Sequence, residues 1–165
     1  MDAYEAIVAK RDTRSYTGDS VDDARLDRVL RAARMAGSAK NLQLTRLVVV
    51  TDPATRTALT NCGDFTSWID QAPVVVVLTC PVADGRPFDL GRMAQNLMVC
   101  ATAEGLATCP VTFQHQDRIR EVLGLPDDVE APHAVTLGDP GPPPPANPLR
   151  APRITIDELV HRERW

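Results

Sequence analysis

The strongest constraint on the fold is the run Asp89-Leu90-Gly91-Arg92-Met93-Ala94-Gln95-Asn96-Leu97-Met98-Val99-Cys100-Ala101-Thr102-Ala103-Glu104. At a helical step of about 100° per residue, Leu90, Met93, Ala94, Leu97, Met98, Cys100 and Ala101 fill a broad arc. Asp89, Arg92, Gln95, Asn96 and Thr102 gather on a narrow stripe opposite. A helix with so wide an apolar arc has to be covered on most sides, so the pattern predicts a central core helix. Gly105 is placed to cap its C-terminus. The preceding run Ala72-Pro73-Val74-Val75-Val76-Val77-Leu78 is continuous and β-branched, which predicts a strand buried on both faces.

The chain of 165 residues reads as a single domain, 1–165, with enough length for a real core. A net charge of −4 gives no footprint for nucleic acid or an anionic membrane. No apolar run approaches the roughly 18 residues that span a bilayer, and Met1-Asp2-Ala3-Tyr4-Glu5 does not read as the start of a signal peptide. Cys62, Cys80, Cys100 and Cys109 form no C-x-x-C pair, and two of them fall in expected core elements. The expectation is a reduced, cytoplasmic protein without a metal site.

Asp2 and Glu5 predict a capping box and a first helix ending near Lys10. A second helix should start at Asp22 or Asp23 and stop at Gly37. Residues 47–51 read as a strand, Asp52-Pro53 as the start of a short helix, and 65–70 as another. Asp117 should cap a helix closed by Gly124, and 134–138 reads as a third strand. The proline run predicts a stiff spacer over 140–148 that holds a C-terminal arm, 149–165, away from the last strand.

No G-x-G-x-x-G, P-loop, H-E-x-x-H or G-x-S-x-G is present, and His115, His133 and His161 are scattered. No catalytic side chain is therefore assigned, and a bound cofactor would have to carry any redox chemistry. Two stretches suit an anionic, planar one. Lys10-Arg11-Asp12-Thr13-Arg14-Ser15-Tyr16 brings three cations together just past a helix. Gly37-Ser38-Ala39-Lys40-Asn41-Leu42-Gln43 combines small residues with directional hydrogen-bonding groups.

Together and in this order, these stretches resemble the nitroreductase family of FMN-dependent oxidoreductases. Asp89-Leu90-Gly91 with Ala94-Gln95-Asn96-Leu97, Gly105-Leu106-Ala107-Thr108-Cys109-Pro110, Leu123-Gly124-Leu125-Pro126, and Arg153-Ile154-Thr155-Ile156-Asp157-Glu158-Leu159-Val160 extend the resemblance over nearly the whole chain. It implies an α+β protein, an α/β/α sandwich with a central mixed sheet flanked by helices. It also implies an intertwined homodimer with exchanged C-terminal arms and FMN at the subunit interface.

Carried over by position, Lys10 meets the FMN phosphate or ribityl end, Arg11 and Asp12 lie along the ribityl chain, and Arg14 sits by the flavin N1/O2 edge. Ser38, Ala39 and Asn41 come from the other subunit. Pro110, Val111 and Thr112 pass near the flavin face and N5, and Arg150 and Arg153 close on the phosphate. The implied reaction is ping-pong: NAD(P)H reduces FMN and leaves, and a small-molecule acceptor such as a nitroaromatic or quinone then takes the electrons.

The chain departs from the family pattern at Gly37, where Pro is common, and at Leu44-Thr45, which replace Pro-Trp. It also leaves little room for lid helices between Gly105 and Leu137. Two alternatives stand beside the reductase: a non-enzymatic flavin-storage protein, and an oxygen-dependent enzyme that cleaves FMN to 5,6-dimethylbenzimidazole. The branch with that activity carries an Asp at the position of Asp12.

Overall fold

The strand β2 (Val74–Pro81) lies inside a four-stranded sheet, in the order β1 (Arg46–Val50), β2, β4 (Val129–Gly138), β3 (Ala107–Thr112), in a computed structural model that describes residues 1–143, 145 and 151–165. Its alternate residues face opposite layers. Val74, Val76 and Leu78 pack with Val135 and Leu137 under the helices α2 (Asp23–Arg34) and α4 (Pro87–Ala103). Val75 and Val77 pack with Leu59, Ile69, Val111, Phe113 and Ile119 on the other side. That second layer is built from α3 (Pro53–Leu59) and α5 (Gln116–Leu123). The uninterrupted β-branched run thus serves two cores at once, and the α+β class and three-layer arrangement hold.

The sheet is antiparallel between all its paired strands rather than mixed. The reason lies in the order of the chain. β2, α4 and β3 (Ala107–Thr112) form a crossover whose two strands run the same way. The last strand, β4 (Val129–Gly138), then inserts antiparallel between them. The one parallel pairing among the described residues is the isolated bridge of Asp12 to Thr108. At the opposite edge, β1 (Arg46–Val50) pairs with β2 alone.

Pro110 makes residues 107–112 unpromising as a strand, yet they form β3. The strand sits at the sheet edge, where a missing backbone N–H is tolerated.

Several boundaries differ from expectation. α2 ends at Arg34 with Met35 as its C-cap, so Gly37 is not a capping residue. Instead, Gly37 lies under the guanidinium end of the exposed Arg92 side chain, whose Nη2 would be 2.5 Å from a Cβ at this position. Residues 65–70 give only a single 3-10 turn, Ile69–Gln71. α5 begins at Gln116 after His115, and Asp117 does not cap it. Pro140 bridges to Tyr16 and the Gly141 N–H donates to Ser15 O, so the proline run is still tied to the sheet at its start. The rest of the spacer lies largely outside the described residues.

α1 (Ala3–Ala9) carries the expected Asp2/Glu5 capping box. α4 is longer than expected, starting with Pro87 at its first position. It ends in a Schellman motif: Leu106 N–H donates to Ala101 O and Gly105 N–H to Thr102 O, with Gly105 at φ +75°. Leu90, Leu97, Met98 and Ala101 are buried against the sheet. The opposite stripe is not simply solvated. Asp89 is buried and accepts from Ala39 N–H, and the Asn96 amide donates to Ala32 O. Leu97 is fully buried. Leu97→Ala therefore removes packing from the central layer and lowers the unfolding free energy by about 2–5 kcal/mol. Urea denaturation measures it.

Candidate functional site

β3 and the segment before β2 enclose a cleft of about 320 Å³. Pro110, Val111 and Thr112 form one wall and Arg14 another. Phe65, Trp68 and Gln114 complete it. Pro110 and Thr112 are exposed on one face of the edge strand, whereas Val111 turns into the core. The site follows directly from β3 being an edge: its outer side is free to face a ligand.

Arg14 reaches the cleft because the segment that carries it is anchored on both sides. Thr13 N–H donates to Thr108 O at 3.0 Å. The Tyr16 hydroxyl donates to Thr13 O at 2.9 Å and lies 2.7 Å from Thr136 Oγ1. Burial raises the Tyr16 pKa well above the usual phenol value, so the hydroxyl stays a neutral tether at any physiological pH. Arg14 makes no ion pair among the described residues. Its guanidinium lies over the Trp68 ring, 4.7 Å from the centroid. Behind it, burial pushes the Cys109 thiol up while the neighbouring Arg14 pulls it down. Thr108 Oγ1 is buried without a partner beside the Asp12 bridge.

The rest of the basic segment is arranged differently from expectation. Lys10 caps the end of α1 and its ammonium pairs with Asp12. Arg11 folds back on the same helix end, donating to Val8 O at 2.6 Å and Lys10 O at 2.7 Å. It lines no part of the cleft.

Ser38, Ala39 and Asn41 belong to a separate place. Ser38 lines a smaller cleft of about 240 Å³ with Asp89, Arg34 and Arg46, and none of the three borders the Arg14 cleft. Ser38 Oγ accepts from Gln43 N–H at 2.9 Å. Lys40, Asn41 and Gln43 all have φ between 50° and 55°, a conformation that non-glycine residues hold only when their surroundings impose it. Arg153 is exposed in the C-terminal segment, and Arg150 lies outside the described residues. Within one chain, then, the expected site residues that are described fall into four groups.

Phe65, Trp68 and Gln114 did not come from the sequence reading. The available signal was two aromatics three residues apart in a short polar stretch of an aromatic-poor chain. The structure explains their placement. Asp64 N–H donates to Gln114 Oε1 and His115 N–H to Cys62 O, both at 3.0 Å, which pins this segment to the end of β3.

The donor set suits an anionic, planar cofactor. An uncancelled guanidinium, an exposed edge strand and aromatic walls meet in one cleft, which the Lys10–Asp12 pair does not line.

Comparison with known proteins places the chain in a family. Residues 7–62 and 65–139 match the family model described as the nitroreductase family. A Thermus thermophilus protein named NADH dehydrogenase is 31% identical over 85% of this chain and 87% of its own length. A Vibrio harveyi NADPH-flavin oxidoreductase is 25% identical over 98% of this chain and 73% of its own. Among solved structures, a nitroreductase family protein from Clostridium difficile superposes with a TM-score of 0.85 at 26% identity, covering 100% of both chains. On the matched residues and the shared fold together, the chain belongs to the nitroreductase family.

Proposed function

We propose that this chain is an FMN-dependent oxidoreductase that passes electrons from NAD(P)H to a small oxidised acceptor. The observation that carries the reading is Arg14, held uncancelled in a cleft against the edge-strand residues Pro110 and Thr112. Relatives named NADPH-flavin oxidoreductase, oxygen-insensitive NADPH nitroreductase and FMN reductase support it.

FMN, when bound, supplies the two-electron chemistry between donor and acceptor in turn. The chain's own residues bind and orient it. Arg14 offers a guanidinium to the N1/O2 edge, where negative charge grows on reduction. Lys10 serves the phosphate end, exchanging its Asp12 partner for a more highly charged one. Pro110 and Thr112 shape the face on which donor and acceptor take turns. Ser38, Ala39 and Asn41 complete the site from a second copy, and Arg153 closes on the phosphate.

A homodimer accounts for surface that one chain leaves open. All residues 151–165 are exposed, including Ile154, Ile156, Leu159 and Val160. Tyr4, Ile7, Val8 and Met35 are exposed too, and α1, α2 and α4 border a largely apolar cleft of about 510 Å³. Covering these surfaces needs an interface well above about 2,000 Å². No described helix is long and apolar enough to cross a membrane, and the four free cysteines suit the reducing cytoplasm.

Extraction of the purified or FMN-reconstituted protein tests the cofactor: denaturation releases FMN rather than FAD, close to one per chain. Failure to bind FMN in excess overturns the reading. Steady-state consumption of NADH or NADPH with a quinone separates a reductase from a storage protein, which binds the flavin but turns nothing over.

A further inference from the structure

We propose that Trp68 is a positioning residue for Arg14: its indole face fixes the guanidinium in the cleft while leaving the positive charge uncancelled for the flavin. The inference rests on the flavin reading above and deepens it.

An arginine meant to stabilise charge on a ligand faces a conflict. A carboxylate partner would hold the side chain in place but would neutralise it. With no partner, its four-torsion stem would sample many rotamers, and only a fraction would point at the ligand. An aromatic face resolves the conflict, because it attracts the cation through a quadrupole that carries no net charge. Arg14 has this arrangement: no ion pair among the described residues, and its Cζ 4.7 Å from the Trp68 ring centroid.

The ring is itself fixed. Trp68 Nε1–H donates to Phe65 O at 2.8 Å, and Gln71 N–H donates to Trp68 O at 3.1 Å at the start of the 3-10 turn. Trp68 is half-buried and packs against the core under α3 and α5. Phe65, by contrast, is 76% exposed and has no such role. A cation–π contact at a partly exposed site biases the rotamer population by roughly two- to fivefold. Losing it should remove a good part of Arg14's effect without removing Arg14.

The test has two arms. In a Trp165→Phe background Trp68 is the only tryptophan. Arg14→Ala then uncovers its ring, and acrylamide quenching of its fluorescence rises in the flavin-free protein. Unchanged quenching would show that the stack does not form. In the FMN-loaded protein, Trp68→Leu should reduce the preference for reduced over oxidised flavin by about threefold, a fall of about 15 mV in midpoint potential at about 30 mV per tenfold. The same substitution made on top of Arg14→Ala should produce no further fall. Equal falls in both backgrounds, or none in either, overturn the proposal. Trp68→Phe keeps a ring with a weaker π face. If Trp68→Leu does not fold, the Phe variant carries the same cycle with a smaller shift of the same sign. Absence of flavin from the unsubstituted protein would instead sink the functional reading, so the two failures are separable.

Discussion

Deleting residues 153–165 should convert an FMN-loaded dimer into a species that is largely monomeric at micromolar concentration and has lost most of its flavin. The segment contains α6 (Ile156–Leu159), a single turn with its own capping box from Thr155 and Glu158. One turn of helix is not stable alone in water. Here Ile154, Ile156, Leu159 and Val160 are all exposed, so no described residue of the same chain covers them. Full burial of one such side chain contributes about 1.5–3 kcal/mol, and four together are on the order of 6 kcal/mol or more. A loss of that size shifts a dimer equilibrium by roughly four orders of magnitude. Sedimentation velocity with absorbance at the flavin band reads association and cofactor together. A truncated protein that remains a flavin-loaded dimer would show that the arm is not part of the interface.

Arg14→Ala should lower the midpoint potential of the bound flavin by roughly 30–60 mV. The sign follows from charge. Only the reduced flavin carries a negative charge at N1, so a cation there stabilises the reduced form more than the oxidised one. A charge-assisted hydrogen bond contributes roughly 1.5–3 kcal/mol, and about 1.4 kcal/mol corresponds to 30 mV for a two-electron couple. Arg14 is exposed, so solvent screening holds the shift toward the lower end. Lys10→Ala, at the phosphate end, should weaken FMN binding with a smaller change in potential. Potentiometric titration of flavin-saturated protein makes the comparison. An unchanged potential in Arg14→Ala with flavin bound would place this arginine at the wrong end of the cofactor.

The sequence was most legible where one physical cause dominated. The run 74–78 could only be a doubly buried strand, and the arc on residues 89–104 could only be a core helix. It was least legible where a local rule yielded to position. Pro110 argues against a strand until its place at the sheet edge is known. Asp89 reads as a surface residue on the helical wheel, but the loop at Ala39 folds over it and provides a backbone donor. Gly37 looks like a helix cap, but α2 ends two residues earlier with Met35 as its cap. For the site, motif order led to Arg14, Pro110, Val111 and Thr112, which share a cleft. It could not lead to Trp68, whose role depends on a contact across 54 residues of chain separation, from Arg14 to Trp68. Nor could it show that Arg11 turns back onto the end of α1.

On the function proposed above, this chain uses a bound FMN to take electrons from a nicotinamide and hand them on. The reductive half-reaction tests it most directly. FMN-loaded protein is mixed anaerobically with NADH or NADPH, with no acceptor present. The oxidised-flavin absorption should bleach with at least one of the two, and after the nicotinamide is removed a quinone or nitroaromatic should restore it. A protein that holds FMN stoichiometrically yet keeps its oxidised spectrum with both nicotinamides would not be a nicotinamide-dependent reductase.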